Sequence, residues 1–253
     1  DREGSFSTEL FDRYQRSEKA LIACLQQMVI KGVVTRKVKK ITESLCGLTF
    51  SKSRVSEIVK KLDTEIQAWL NRPLDYEYPY VFVDARYNKV RRDHKVESHA
   101  VLIAKGVNKE GERDIIGVDV CNKENETNWS MFFNGLKNIG LKGVRLVISD
   151  AHPGLVKAIE ENFPDEHRQR IRTTNSLERF NQEIKRRTSV LRIFPNRNSA
   201  LRLIGALCME QAEEWITGRQ YLDMSLLERR KETKIINQPA QQYTGAGGET
   251  VIA

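Results

Sequence analysis

Cysteine is sparse in this chain. Cys24, Cys46, Cys121 and Cys208 are scattered, with no Cys-x-x-Cys pair and no histidine at zinc-ligand spacing. They are read as reduced core thiols of an intracellular protein. No apolar run approaches the roughly 18–20 residues needed to cross a bilayer. Neither a secretory signal peptide nor an internal repeat is visible. Membrane partners are therefore not expected, and the expected compartment is the cytoplasm. The chain opens on Asp1 rather than Met, so a piece of a longer protein is expected.

What is abundant is positive charge. The 253 residues carry 42 Lys and Arg against 34 Asp and Glu, a formal charge of +8. Such an excess favours a polyanionic partner, because each cation that neutralises a phosphate also releases a condensed counterion. Ribosomal, RNA-binding and membrane-surface proteins share the bias, so charge alone decides little. With 40% hydrophobic residues the chain can bury a sizeable core as one large domain or two small ones.

Residues 1–70 read as helical. Leu10, Phe11, Tyr14, Leu21, Leu25 and Met28 recur roughly every three to four positions, and Gly32 closes that stretch. Thr35 opens a second helix with Val38, Ile41 and Leu45. Ser51 opens a third, expected over 52–69, with Val55, Ile58, Val59 and Leu62 on one side. A short helix, a turn at Gly47-Leu48-Thr49-Phe50 and a basic third helix fit a helix-turn-helix. Lys52, Ser53, Arg54 and Ser56 would then lie at the exposed start of the recognition helix and contact DNA. An ordinary three-helix bundle with a solvated charged face is the alternative.

A linker over 71–79 precedes a change of pattern. Segments 80–90, 97–107 and 113–120 are rich in Val, Ile and Tyr, with short polar turns between them, and suit an antiparallel meander. A helix over 127–139 carries Trp129, Phe132, Phe133 and Leu136, with Trp129 expected in the core. A short apolar strand over 144–149 is expected to be central and parallel. Another helix covers 154–163. This order is that of a ribonuclease-H-like mixed sheet with flanking helices, an α/β core over 80–194. Helices over 174–188 and 198–215 follow, the second with Trp215 in the core. The C-terminal helices occupy 195–230, and 231–253 is expected to be a flexible tail.

Three carboxylates stand out. Asp84 lies inside the first strand, where alternation puts Phe82, Asp84 and Arg86 on one face. Burying it there is costly without a cation or hydrogen bonds, and an ion pair with Arg86 is the structural alternative. Asp150 ends the fourth strand, where ligands bind in open sheets, although Asp also serves there in an Asx-turn or cap. Glu178, three residues after Asn175, fits a capping box. Its helix would bury Leu177, Phe180 and Ile184, leaving Glu178, Asn181 and Lys185 on a neighbouring stripe. Together the three acids are a donor set for hard divalent cations. Two such ions about 4 Å apart can activate a water or 3′-hydroxyl and stabilise the leaving oxygen in phosphoryl transfer. Near them, Arg86, Tyr87 and Arg91 follow Asp84. His152 either positions a phosphate or serves as a turn residue. Arg172, Arg179, Lys185, Arg186 and Arg187 form a basic run suited to phosphate contact.

At these residues the chain resembles the Mutator-type insertion-sequence DNA transposases. The likeness is carried by Val83-Asp84-Ala85, Ser149-Asp150-Ala151-His152, the string from Ile171 through Arg172-Thr173-Thr174-Asn175 to Glu178-Arg179-Phe180-Asn181, and Ile184-Lys185-Arg186-Arg187-Thr188. It continues in Ile193-Phe194-Pro195-Asn196, Ala200-Leu201-Arg202-Leu203 and Glu213-Glu214-Trp215. Asp1-Arg2-Glu3-Gly4 and Asn71-Arg72-Pro73-Leu74 carry it at the other end. The resemblance implies a DDE site in which Asp84, Asp150 and Glu178 hold two Mg²⁺ ions, with Mn²⁺ as a substitute. It implies cleavage at transposon ends and joining of the freed 3′-hydroxyl to DNA. The expected partners are double-stranded DNA, namely the terminal inverted repeats and target DNA, and a second copy in a homodimer on a prokaryotic nucleoid. One departure is large. The family places a fifth strand and a helical insertion with a Cys-x-x-His element between the second Asp and the Glu, whereas Asp150 and Glu178 stand 28 positions apart here. Four core strands are recognisable, and the block is read as missing between Pro164 and Asp165. That shortening keeps open a catalytically silent, transposase-derived DNA-binding regulator. Another nuclease of the same fold, such as a ribonuclease H, is the third reading.

Overall fold

The computed structural model describes residues 9–33, 35–46, 51–150, 152–163, 167–169, 175–218 and 221. Helix α1 spans Glu9–Ile30, α2 Thr35–Cys46 and α3 Lys52–Lys60. Their apolar stripes meet in a small cluster of Leu25, Val38, Val55 and Ile58. Ser51 caps α3, its side chain accepting from the Arg54 N–H at 3.1 Å, the role expected of serine there. The turn at 47–50 and the first eight residues lie outside the described residues.

The helix expected as one piece over 52–69 is two. The Lys61 N–H bonds to the Ile58 carbonyl at 3.2 Å, a tightened last turn, and α4 resumes over Leu62–Leu70. The break lets two apolar sets bury against different partners. Val55 and Ile58 join the N-terminal cluster, while Leu62 and Ile66 enter a larger core with the sheet and the last helix. Arg202 of that helix, α8 (Arg197–Ile216), holds Asp63 of α4 with two hydrogen bonds, at 2.5 and 2.6 Å.

Strands β1 (Tyr80–Arg92), β2 (Lys95–Val107) and β3 (Arg113–Cys121) form the antiparallel meander. Asp93 and His94, with φ of 47° and 64°, make the two-residue turn from β1 to β2, the conformation that suits strand twist. Helix α5 (Glu126–Asn138), β4 (Leu146–Ile148) and α6 (Pro153–Asn162) follow. Strand β4 runs parallel to β1, as a short apolar strand should. The four-strand expectation is corrected. His167–Gln169 is a fifth strand, β5, parallel to β4, and the sheet order is β3-β2-β1-β4-β5. Its three residues lack the apolar run that would have marked them; the pairing edge of β4 recruits them.

The sheet is covered on both faces. On one side Val81, Val83, Trp129, Phe133, Leu155 and Phe163 pack with α5 and α6. On the other, Phe82, Ile103, Ile115 and Val118 pack with α4, α8 and α7 (Asn175–Thr188). After α7 the chain returns to the sheet: the Phe194 N–H donates to the Lys89 carbonyl, and the Arg91 N–H to that of Phe194, both at 2.8 Å. Trp129 and Trp215 are both buried, as expected. Of the cysteines, Cys208 is buried but Cys24 is exposed on α1, so the core reading fails for Cys24. Phe133, wholly buried, stacks on Trp129 and meets Phe163 edge-on. Phe133→Ala should cost about 3–5 kcal/mol in urea unfolding followed by circular dichroism. Met131→Ala, at a residue 67% exposed on the same helix, should shift stability by less than about 0.5 kcal/mol.

Candidate active site

Alternation along β1 sends Val81, Val83 and Ala85 to the α5–α6 side and leaves Phe82, Asp84 and Arg86 facing α7. Asp84 is thus a half-buried carboxylate at the centre of the sheet. Asn181 of α7 donates to its Oδ2 at 2.6 Å, and the Ala85 N–H to its Oδ1 at 2.8 Å. Burial pushes the Asp84 carboxyl above its ordinary range. The two hydrogen bonds oppose that rise, and the negative charges of Asp150 and Glu124 add to it. The alternative of an Asp84–Arg86 ion pair is not what forms. Arg86 instead donates to the Asn181 carbonyl at 2.8 Å, and its buried Nε has no partner.

Asp150 sits just past β4. Parallel pairing matches Phe82 with Ile148, so two residues further on Asp150 comes level with Asp84. One Asp150 oxygen accepts from the His152 N–H at 3.4 Å, a long Asx-type contact; the side chain is exposed. His152 is the N-cap of α6 without a side-chain cap bond, and Pro153 takes the first helical position.

On α7, Leu177, Phe180 and Ile184 are buried, and Glu178, Asn181 and Lys185 lie on the more open stripe, as the spacing required. Glu178 comes one helical turn before the asparagine that bonds to Asp84. It is exposed. Among the described residues no set of three His, Cys, Asp or Glu side chains is gathered closely enough to hold a metal ion. Asp84 and Asp150 are neighbours, whereas Glu178, one helical turn from Asn181, is not gathered with them. The backbone start of the capping box precedes the described side chains.

Two residues that act on Asp84 carry little sequence signal for it. Helical spacing puts Asn181 on the stripe of Glu178 without marking it as a partner of Asp84. Glu124, between β3 and α5, has a nearly buried side chain, and its Oε1 accepts from the Trp129 indole at 3.2 Å. Its only sequence signal was a polar turn before an apolar helix. No Lys or Arg nitrogen lies within 4.0 Å of Asp84, Asp150 or Glu124 among the described residues.

The basic candidates divide. Lys52, Ser53, Arg54 and Ser56 are all exposed at the start of α3, with Arg54 also 3.2 Å from Glu57. Arg179 and Lys185 are exposed. Arg186 lies along Glu183, holding that carboxyl down at about 2, while Arg187, its side chain 12% exposed, is tied to Glu183 and Glu210. Tyr87 and Arg91 are exposed beyond Asp84. Arg172 lies outside the described residues.

The sequence matches the family described as "Transposase, Mutator family" over residues 1–170 and 160–218. The transposase for insertion sequence element ISRM5 of Rhizobium meliloti is 38% identical over 311 aligned positions, covering 92% of this chain and 78% of that protein. The transposase for IS256 in transposon Tn4001 of Staphylococcus aureus is 36% identical, covering 88% and 78%. That for IS1081 of Mycobacterium tuberculosis is 33% identical, covering 96% and 78%. An alignment of 311 positions against a chain of 253 requires residues in the relative with no counterpart here. The family match divides at 160–170, between Asp150 and Glu178. A solved catalytic core domain of BIV integrase, 13% identical, covers 62% of this chain and 99% of that chain at a TM-score of 0.33, too slight a likeness to bear on fold or site. The matched length and identity decide the family: this chain belongs to the Mutator family of transposases.

Proposed function

We propose that this chain cleaves transposon ends and joins the freed 3′-hydroxyl to DNA at a site built from Asp84, Asp150 and Glu178. One observation carries the reading. A half-buried carboxylate at the centre of the sheet lies in the negative field of Asp150 and Glu124, and Arg86, its nearby guanidinium, bonds to the Asn181 carbonyl rather than pairing with it. Carboxylates gathered without an ion pair suit a cation, and the all-oxygen donor set suits Mg²⁺ or Mn²⁺. Asp84 and Asp150 would hold it, with Glu178 completing the set from α7. When bound, two such ions supply activation of the attacking oxygen and stabilisation of the leaving one. The protein's own part is positional. Asn181 keeps one Asp84 oxygen directed across the interface with α7. The open stripe of α7 carries Arg179 and Lys185 beside Glu178, cations suited to phosphate oxygens. Lys52, Ser53, Arg54 and Ser56 offer the start of α3 to a DNA groove in the manner of a recognition helix. Paired transposon ends call for two copies of the chain.

The second reading, a catalytically silent DNA-binding regulator, is favoured by the short Asp150–Glu178 segment and by the open arrangement of the three acids. A joining assay with labelled transposon-end oligonucleotides separates them. On the first reading, product forms with Mg²⁺ or Mn²⁺ and none forms in excess EDTA. Asp84→Asn should abolish joining while gel-shift affinity for the same DNA holds. Binding without joining in every metal would instead establish the regulator. Arg54→Ala should leave joining intact at saturating DNA and flatten the slope of log affinity against log salt by about 0.9. An unchanged slope would remove α3 from the DNA interface.

A further inference from the structure

Glu124 is a nearly buried acid beside the site to which the proposed reaction assigns no task. Its side chain retains 7% of its exposure, and each oxygen has a polar neighbour. Oε1 accepts from the Trp129 indole at 3.2 Å and lies 3.5 Å from His152 Nδ1; Oε2 lies 3.4 Å from the Tyr87 hydroxyl. The indole is a fixed donor, because Trp129 is fully buried and stacked on Phe133 with centroids 5.6 Å apart. The loops bearing the acid and the imidazole are pressed together. A Cβ on Gly154 would come within 2.8 Å of the Glu126 nitrogen and 3.1 Å of Asn125 Cα.

His152 is the other half of the arrangement. Its Nδ1 is buried and makes no completed hydrogen bond, the Glu124 oxygen being its charged neighbour at 3.5 Å. The His152 side chain is 34% exposed while its Nδ1 is buried, so the open part of the ring lies away from that nitrogen. An ionised carboxylate can only accept, so the arrangement of lowest energy puts a hydrogen on Nδ1. In a neutral imidazole that leaves Nε2 with its lone pair, two residues beyond Asp150.

We infer that Glu124 is a positioning residue. Anchored by Trp129, it fixes the Nδ1–H tautomer of His152, so that Nε2 accepts a hydrogen bond from the attacking water or 3′-hydroxyl and orients it. This rests on the reading of Asp150 as part of the reaction centre. The Trp129–Glu124–His152 chain itself does not.

The test uses the full chain labelled with ¹⁵N-histidine, at a pH well above the ordinary histidine range. The His152 signal, assigned by its loss in His152→Gln, should show the Nδ1–H tautomer. In Glu124→Leu, which removes the acceptor facing Nδ1, it should shift to Nε2–H. Trp129→Phe, which removes the indole donor together with part of the buried ring, should give a mixture and serves should Glu124→Leu fail to fold. In the joining assay Glu124→Leu should slow joining at saturating DNA by about 10–100-fold with DNA affinity unchanged. It should add nothing in a His152→Gln background. An unchanged tautomer in Glu124→Leu, or losses that multiply in the double variant, would overturn the inference. A chain that shows the tautomer switch yet joins no DNA would instead fail the functional reading and keep the pairing.

Discussion

The hydrogen bond from Asn181 to Asp84 ties the last part of the site to the first. Asp84 has to be carried into the sheet because β1 is a central strand, and a carboxylate in that position needs polar partners close by. Asn181 supplies one at 2.6 Å, and Arg86 returns a bond to the Asn181 carbonyl from the same strand face. The two bonds set where α7 lies along β1. The residues that α7 buries, Leu177, Phe180 and Ile184, then fall into the core shared with α8, and Glu178 lies one helical turn from Asn181 on the open stripe. Packing alone could place a helix on this face at several heights; a paired polar contact selects one.

Charge is distributed unevenly through the molecule. The chain is strongly basic in sum, yet the carboxyl ends of β1 and β4 and the loop before α5 gather Asp84, Asp150 and Glu124 with no lysine or arginine in an ion pair with them among the described residues. Many of the arginines are committed elsewhere. Arg187 bridges Glu183 and Glu210, Arg202 holds Asp63, and Arg72 reaches Asp114 at 2.8 Å. Those pairs fasten helices to one another and to the sheet. Exposed cations include Lys52 and Arg54 at the start of α3 and Arg179 and Lys185 on the open stripe of α7. Acid at the centre and free base around it is a distribution suited to a phosphodiester backbone.

The length of chain between Asp150 and Glu178 is where this protein parts from its relatives. The family match divides there, and the alignments require inserted residues in the relatives. Yet β5 forms from three residues within that span and extends the sheet beside β4. The shortened connection therefore still delivers α7 to the face that carries Asp84. The three acids remain an open set.

Much of this was legible in the order of residues. Alternation in β1 assigned Asp84 to the face opposite Val81 and Val83, and helical spacing assigned Glu178 and Asn181 to one stripe of α7. Both follow from local geometry that any strand or helix imposes. The family strings located the same acids independently. Three things were decided only by folding. The break at Lys61 arises because Leu62 and Ile66 find a different core from Val55 and Ile58. β5 exists because β4 has an edge to pair, not because His167–Gln169 favours a strand. Glu124 meets His152 because the loops after β3 and β4 converge where two helices start. Periodicity along a chain reports which face a side chain takes; which distant groups share that face depends on closure of the sheet, and no local signal encodes it.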